Sequence, residues 1–78
     1  MLKLVFLGRL EDAAGAPELM AAPVPDLEAL IAALDPELAR ELRGPRVRIA
    51  VNGALVADRA HPLEDGDEVA FLPPVSGG

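Results

Sequence analysis

The stretch that decides the fold of this chain reads RVRIAVNGALVA and covers residues 46–57. Its apolar residues Val47, Ile49 and Val51 alternate with arginine and alanine, which is typical of a strand with one buried face. Asn52-Gly53 follows directly and is a strong short-range hairpin signal, because both residues tolerate the positive φ of a type I′ turn. The stretch therefore predicts a strand, a tight turn and a returning strand.

The returning strand is predicted over 54–57, and the turn sets its register. A two-residue turn places Val51 opposite Ala54. Because side chains alternate along a strand, Ala54 and Val56 are expected to share the core face, while Leu55 points to the other face of the sheet.

The segment before the hairpin is predicted to be the main helix. Asp26 supplies a capping oxygen at its start, Asp35-Pro36 restarts the pattern, and Gly44-Pro45 ends it. One apolar stripe with a period of 3.6 residues runs along its first part. This stripe consists of Leu27, Leu30, Ile31 and Leu34, and the apolar face continues with Leu38 and Leu42.

Three further strands are predicted, over 2–7, 18–22 and 68–72, with a loop or one helical turn over 11–15. The order of elements is then β-β-α-β-β-β. This is the order of an α+β, β-grasp (ubiquitin-like) fold, in which a mixed sheet packs on one main helix and the two terminal strands are parallel neighbours.

Length and composition limit what the chain can do. Its 78 residues, of which 51% are hydrophobic and 26% charged, suffice for a single domain over 1–78 with a thin core. There is no cysteine, so no disulfide or thiolate site can form. The net charge of −6 argues against nucleic-acid binding and favours a protein partner with a basic face. No apolar run is long enough to cross a membrane, so a cytoplasmic protein is expected.

The ionisable residues predict neither a metal site nor an active site within the chain. His61 is the only histidine and Ser76 the only serine, and neither has a companion for a catalytic group. The acidic cluster over 64–68 lacks the twelve-residue ligand spacing of a calcium loop and is interpreted as a turn.

Strand alternation instead predicts an exposed apolar surface. A single helix layer covers only one face of the sheet, so Leu7, Leu55 and Leu72 are expected to share the opposite face. Such a surface is typical of a partner-binding site. The alternative is that the long loops cover it.

The last six residues, Pro-Pro-Val-Ser-Gly-Gly over 73–78, are the most informative feature. Gly77-Gly78 presents a carboxylate on two residues without side chains, which suits insertion of a flexible tail into a narrow active site of another protein. Pro73-Pro74 stiffens the start of the tail and lowers the entropy lost on insertion. The alternative is an ordinary frayed terminus.

Residues 63–78, together with 3–10 and Val51-Asn52-Gly53, resemble the small subunit of molybdopterin synthase, a ubiquitin-like sulfur carrier. The resemblance spans the whole chain. It departs from the family at Leu7 and Leu72, where phenylalanine is frequent, and this affects the shape of the partner interface.

The resemblance implies that an E1-like adenylating enzyme, using ATP and Mg, adenylates the carboxylate of Gly78. A sulfur donor protein then converts it to a thiocarboxylate. The tail, now carrying the thiocarboxylate, enters the large subunit of molybdopterin synthase and donates sulfur to cyclic pyranopterin monophosphate. The two kinds of subunit would form a heterotetramer. The chain itself would bind no cofactor and be non-catalytic alone. The residues that contact its partners would be Leu7, Leu55, Leu72, Pro73, Pro74, Val75 and Ser76.

Other functions remain open on the sequence. The chain could carry sulfur for thiamine synthesis or tRNA thiolation, although the Pro-Pro-Val-Ser lead argues against this. It could also be a ubiquitin-like modifier conjugated to target proteins through Gly78, or an interaction module whose tail has no role. The fate of the terminal carboxylate discriminates among these functions.

Overall fold

The computed structural model describes residues 1–74. Its five strands form one sheet in the order β2-β1-β5-β3-β4. No helix in the described part is long and apolar enough to span a membrane. The elements in chain order are β1 (Leu2–Phe6), α1 (Leu10–Ala14), β2 (Glu18–Ala21), α2 (Leu27–Ala32), α3 (Pro36–Leu42), β3 (Arg48–Val51), β4 (Ala54–Val56) and β5 (Glu68–Leu72).

The two terminal strands lie side by side in the middle of the sheet. β1 and β5 are parallel, with Leu4 opposite Val69 and Phe6 opposite Phe71. The pairs β1–β2, β3–β4 and β3–β5 are antiparallel. The predicted mixed sheet and its parallel terminal strands are confirmed.

The predicted main helix consists of two helices, and the restart predicted at Asp35-Pro36 is confirmed. α2 ends at Ala32, and α3 begins four residues later at Pro36. Asp35 is extended, as expected of a residue that precedes proline, and its carboxylate accepts hydrogen bonds from the backbone N–H groups of Glu37 and Leu38. Proline cannot continue the hydrogen-bond ladder of α2, so the chain starts a new helix.

One face of the sheet and the helices enclose the core. Phe6 and Phe71 are buried on the central strands, with ring centroids 5.4 Å apart and an interplanar angle of 12°. Leu34 lies at the margin of the core and is half-buried. The largest fully buried side chains are Phe6, Phe71, Leu2, Leu4, Leu10, Leu27, Leu30, Ile31, Leu42 and Val69.

The hairpin has the predicted register, but one of its residues is not buried as expected. Val51 is opposite Ala54, and Ile49 is opposite Val56. Val56 packs against the core, whereas Ala54 is exposed. Ala54 directly follows the turn as the first residue of the edge strand β4, which has a neighbouring strand on one side only. The sequence pattern therefore predicted its face correctly and its burial incorrectly.

Asn52 connects the hairpin turn to the start of β5. Its φ of 50° lies in the left-handed region that the turn requires. Its amide donates to Asp67 at 2.9 Å and accepts from the backbone N–H of Glu68 at 2.9 Å. Asp67 also accepts from the backbone N–H of Glu64 at 2.8 Å. That backbone hydrogen bond, followed by the one from Asn52, holds the pKa of Asp67 below its ordinary value of 3.8.

Candidate functional site

The face of the sheet opposite the helices, here called the outer sheet face, has an apolar middle row. The register places Val5 beside Ala70, Ala70 beside Ala50, and Ala50 beside Leu55. Ala50 is buried although it does not belong to the core cluster, whereas Leu55 on the edge strand is 62% exposed. The centre of the row therefore consists of small alanine side chains, and the row ends in the large exposed side chain of Leu55.

The tail leaves at the end of the outer sheet face where Leu7 and Leu72 lie. Leu7 directly follows β1, is 42% exposed and donates its backbone N–H to the carbonyl of Phe71 at 3.1 Å. Leu72 ends β5 and was expected to be exposed, but it is half-buried. The reason is its place on the central strand, with β1 on one side and Arg48 of β3 opposite it on the other. The structure thus brings Leu7 and Leu72 together, and Leu55 lies two strands away.

The opposite end of the outer sheet face is charged. Lys3 lies 3.6 Å from a carboxylate oxygen of Glu18 and 3.6 Å from one of Glu68. Met20, which the sequence pattern did not single out, lies beside Lys3 on the edge strand β2 and is 59% exposed. The outer sheet face therefore has an apolar end near the tail and a charged end away from it.

The tail base, here defined as Pro73 and Pro74, is half-buried and packs against the loop after β1. Gly8 in that loop has a φ of +55°, and a Cβ built on it would lie 2.9 Å from the Cγ of Pro73. Glycine is therefore needed at position 8 both for its backbone angle and for the space that Pro73 occupies. The sequence pattern did not indicate this role, and its one signal was a glycine directly after the predicted strand over 2–7, since such a glycine can allow another segment to approach closely.

The remaining tail residues, Val75, Ser76, Gly77 and Gly78, lie outside the described residues. Four residues can span at most about 14 Å when extended. Their starting point is set by the tail base, which continues β5 at the apolar end of the outer sheet face.

The polar and charged residues of the described part lie at or near its surface. None of them is buried, and the described part contains no cluster of three or more His, Cys, Asp or Glu residues able to hold a metal ion. Perturbed, buried titratable groups are the usual mark of an acid–base centre. In residues 1–74 the distinctive features are instead an apolar surface and an anchored exit for the chain end.

Comparison with known proteins connects this geometry to a family. The model of the ThiS family matches residues 4–78. The molybdopterin synthase sulfur carrier subunit of Escherichia coli is 42% identical to the chain, and the match covers 100% of both sequences.

Solved structures with the same fold include two informative relatives. One belongs to a protein–protein complex of subunits 1 and 2 of molybdopterin-converting factor from Helicobacter pylori. It is 30% identical to this chain, with a TM-score of 0.74, and the match covers 99% of this chain and 97% of that chain. The other is small archaeal modifier protein 1 from Methanosarcina acetivorans, with 27% identity, a TM-score of 0.82, and coverage of 99% and 95%. The chain therefore belongs to the ThiS family of β-grasp proteins, and its resemblance to the small subunit of molybdopterin synthase is confirmed.

Proposed function

We propose that the chain is a sulfur carrier for molybdopterin synthesis and that its working group is the carboxylate of Gly78. The observation that carries the proposal is the 42% identity to the Escherichia coli molybdopterin synthase sulfur carrier subunit over the whole of both sequences. The family match also extends through residue 78, so it includes both terminal glycines.

The first stage is activation of the carboxylate by an E1-like adenylating enzyme, which uses ATP and Mg. A carboxylate oxygen of Gly78 attacks the α-phosphorus of ATP and pyrophosphate leaves, giving an acyl adenylate. A sulfur donor protein then supplies sulfide to the acyl carbon, and AMP leaves. The product is a thiocarboxylate, whose sulfur is a strong nucleophile. Gly77 and Gly78 allow the tail to pass between close walls.

The second stage is delivery of the sulfur within a complex with the large subunit. Leu7, Leu55 and Leu72 of the outer sheet face would contact the partner, while the segment 73–76 would lead the two glycines into its active site. There the sulfur is transferred to cyclic pyranopterin monophosphate. The Helicobacter pylori relative in a complex of subunits 1 and 2 supports this mode of assembly.

A second candidate function is attachment to target proteins through Gly78. The observation that favours it is the structural similarity to small archaeal modifier protein 1, at 27% identity and a TM-score of 0.82. The two functions share the acyl adenylate and differ in the acceptor. A sulfur carrier delivers sulfur to a small molecule, whereas a modifier forms an isopeptide bond with a lysine of another protein.

The test is the intact mass of the chain after incubation with its activating enzyme, ATP, Mg and a sulfur donor. We expect the wild type to gain the mass difference between sulfur and oxygen and then to lose it when the large subunit and cyclic pyranopterin monophosphate are added. Deletion of Gly78 shortens the reach by about 3.5 Å, and displacements of about 1 Å already cost on the order of a hundredfold in rate. The deletion variant should therefore give no thiocarboxylate, and neither should a variant with one residue appended after Gly78.

Asp12→Asn is the control, because Asp12 is exposed on α1 and the change leaves the tail intact. This control variant should form the thiocarboxylate with the same yield as the wild type. A normal thiocarboxylate yield from the Gly78 deletion would contradict the proposal. Formation of protein conjugates without sulfur transfer to the pterin would favour the modifier function.

A further inference from the structure

Two open grooves border the tail base, and arginine side chains line both. A groove of about 440 Å³ is lined by Arg46 and Arg48 together with Pro45 and the tail base. A second groove, of about 360 Å³, is lined by Arg9, Arg46 and Pro74 among others, and Glu41 is the only acidic residue among the described residues that line it. We call Arg9, Arg46 and Arg48 the arginine cluster.

Sheet topology explains why the arginine cluster surrounds the tail base. β1 and β5 are parallel, so their C-terminal ends meet at one edge of the sheet, and β3 is antiparallel to β5 and begins at the same edge. Arg9 follows β1, Arg48 is the first residue of β3, and Arg46 precedes it. Segments that are far apart in sequence therefore place three guanidinium groups around the exit of the tail.

The arginine cluster does not stabilise the described part of the fold through ion pairs. The chain has 13 acidic residues and a net charge of −6, so carboxylates are abundant. Between residues 1 and 74, the ion pairs involve Lys3, Arg43 and the N-terminal amine, and none involves the arginine cluster. In an acidic protein, three arginines without a described carboxylate partner form a local surface of opposite sign.

We propose that the arginine cluster binds carboxylate side chains of the partner protein on the rim of the channel that admits the tail. The inference rests on the proposed function, because it requires that the tail enter a partner. Guanidinium groups bind carboxylates through paired hydrogen bonds, and complementary charges accelerate association and set the orientation of docking.

The reach of the tail favours protein carboxylates over a nucleotide or substrate phosphate. The four residues after Pro74 can span about 14 Å, so the reacting end of an inserted tail lies well beyond the reach of side chains at the tail base. The arginine cluster would then face the entrance of the channel. Arg48 is also opposite Leu72 in the register, which makes the cluster continuous with the apolar end of the outer sheet face.

The test compares loss of positive charge in the cluster with loss of positive charge elsewhere, and the neutral double variant below makes the same net charge change as the control. The double variant Arg46→Glu/Arg48→Glu and the neutral double variant Arg46→Gln/Arg48→Gln alter the cluster. Arg40→Glu is the control, since Arg40 lies on α3 and lines a different groove that does not include the tail base. The rate of association with the large subunit from the same organism is measured by stopped flow at low and high salt, using the full-length chain.

We expect charge reversal to slow association about tenfold or more at low salt, the neutral variant to have an intermediate effect, and Arg40→Glu to associate like the wild type. The differences should shrink at high salt, where exposed charges are screened. Should the double variant fail to fold, the single variants Arg46→Gln and Arg48→Gln give the same comparison.

Three results would overturn the inference. Equal association rates of the charge-reversed variant and Arg40→Glu would mean that the cluster does not meet the partner. Faster association after charge reversal would mean that the partner presents basic rather than acidic groups to the cluster. If the wild-type chain does not bind the large subunit at all, the proposed function fails and the inference with it.

Discussion

Pro73 occupies the space that a β-carbon on Gly8 would need, at 2.9 Å from the proline Cγ. These two residues are distant in sequence, and their contact connects the loop after β1 to the tail base. The direction in which the chain end leaves the sheet therefore depends on a glycine at the opposite end of the sequence.

The first prediction concerns that contact. Gly8→Ala should destabilise the fold by about 1–2 kcal/mol through its left-handed backbone and should also displace Pro73. Displacement of the tail base should slow thiocarboxylate formation. Thermal unfolding measures the first effect, and intact mass after a short incubation with the activating enzyme measures the second.

Gly15→Ala is the matched control for Gly8→Ala. Gly15 has a φ of +81°, but nothing lies within 4 Å of a Cβ built on it. It should lose similar stability and keep the wild-type rate of sulfur loading. Equal loading rates for the two variants would show that the Gly8–Pro73 contact does not govern the tail.

The second prediction concerns Leu55, the large exposed side chain that ends the apolar middle row of the outer sheet face. Leu55→Glu should barely change the melting temperature, because the side chain is 62% exposed, but it should weaken binding to the large subunit. Placing an unpaired charge in an apolar interface costs about 2 kcal/mol or more, which corresponds to roughly a thirtyfold increase in Kd.

Met20→Glu provides the comparison for Leu55→Glu. Met20 is 59% exposed on the same face, but it lies at the charged end beside Lys3. Calorimetric titration should give a Kd close to that of the wild type. If both variants bind normally, the partner does not use this face of the sheet.

The third prediction concerns pH. Because hydrogen bonds lower the pKa of folded Asp67 below 3.8, the unfolded chain binds more protons at this residue. The stability that Asp67 contributes is therefore fully present above pH 3.8 and is lost as the pH falls through the folded pKa. Asp67→Asn should lower the melting temperature at pH 6, and its difference from the wild type should shrink towards pH 3.

Asp12→Asn, on the exposed side of α1, is the control for Asp67→Asn. The melting temperature of this control should differ little from that of the wild type at either pH. The difference in melting temperature between Asp67→Asn and the wild type could instead stay constant from pH 6 to pH 3. That result would contradict the assignment of these hydrogen bonds as the source of the stability.

The fourth prediction concerns the stacked rings of Phe6 and Phe71, which are 1% and 0% exposed. Phe71→Ala should cost about 3–5 kcal/mol, since it removes a fully buried ring from the centre of a thin core. Urea unfolding of the single variants Phe6→Leu and Phe71→Leu and of the double variant should give a coupling energy of about 0.5–1.5 kcal/mol. Additive effects would mean that the rings contribute only through their burial.

Much of the fold could be predicted because its signals are local. Alternation over 47–51 and the Asn52-Gly53 pair specified the hairpin and its register, since a two-residue turn allows only one pairing of the flanking residues. The strand over Glu68–Leu72 has the predicted bounds. The division of the helix at Asp35-Pro36 was also signalled locally, because proline at a first helical position interrupts any helix before it.

Burial was less predictable, because it depends on which strands become neighbours. Leu72 and Leu55 both point to the outer sheet face by alternation, but Leu72 is half-buried on a central strand while Leu55 is exposed on an edge. Alternation also did not indicate that Met20 is exposed. Its exposure follows from the position of β2 as the other edge strand, which depends on the topology of the sheet.

The sequence by itself determined the order of the elements, the faces of the strands and the Gly77-Gly78 end, because each depends on residues within a few positions of one another. Only the tertiary structure decided that Gly8 contacts Pro73 and that the arginine cluster surrounds the tail base. Both arrangements arise from the parallel pairing of β1 with β5, which brings the loop after β1 and the tail base after β5 to one edge of the sheet. That pairing is a long-range contact stabilised by the shared core, and no local pattern specifies which side chains meet at its edge.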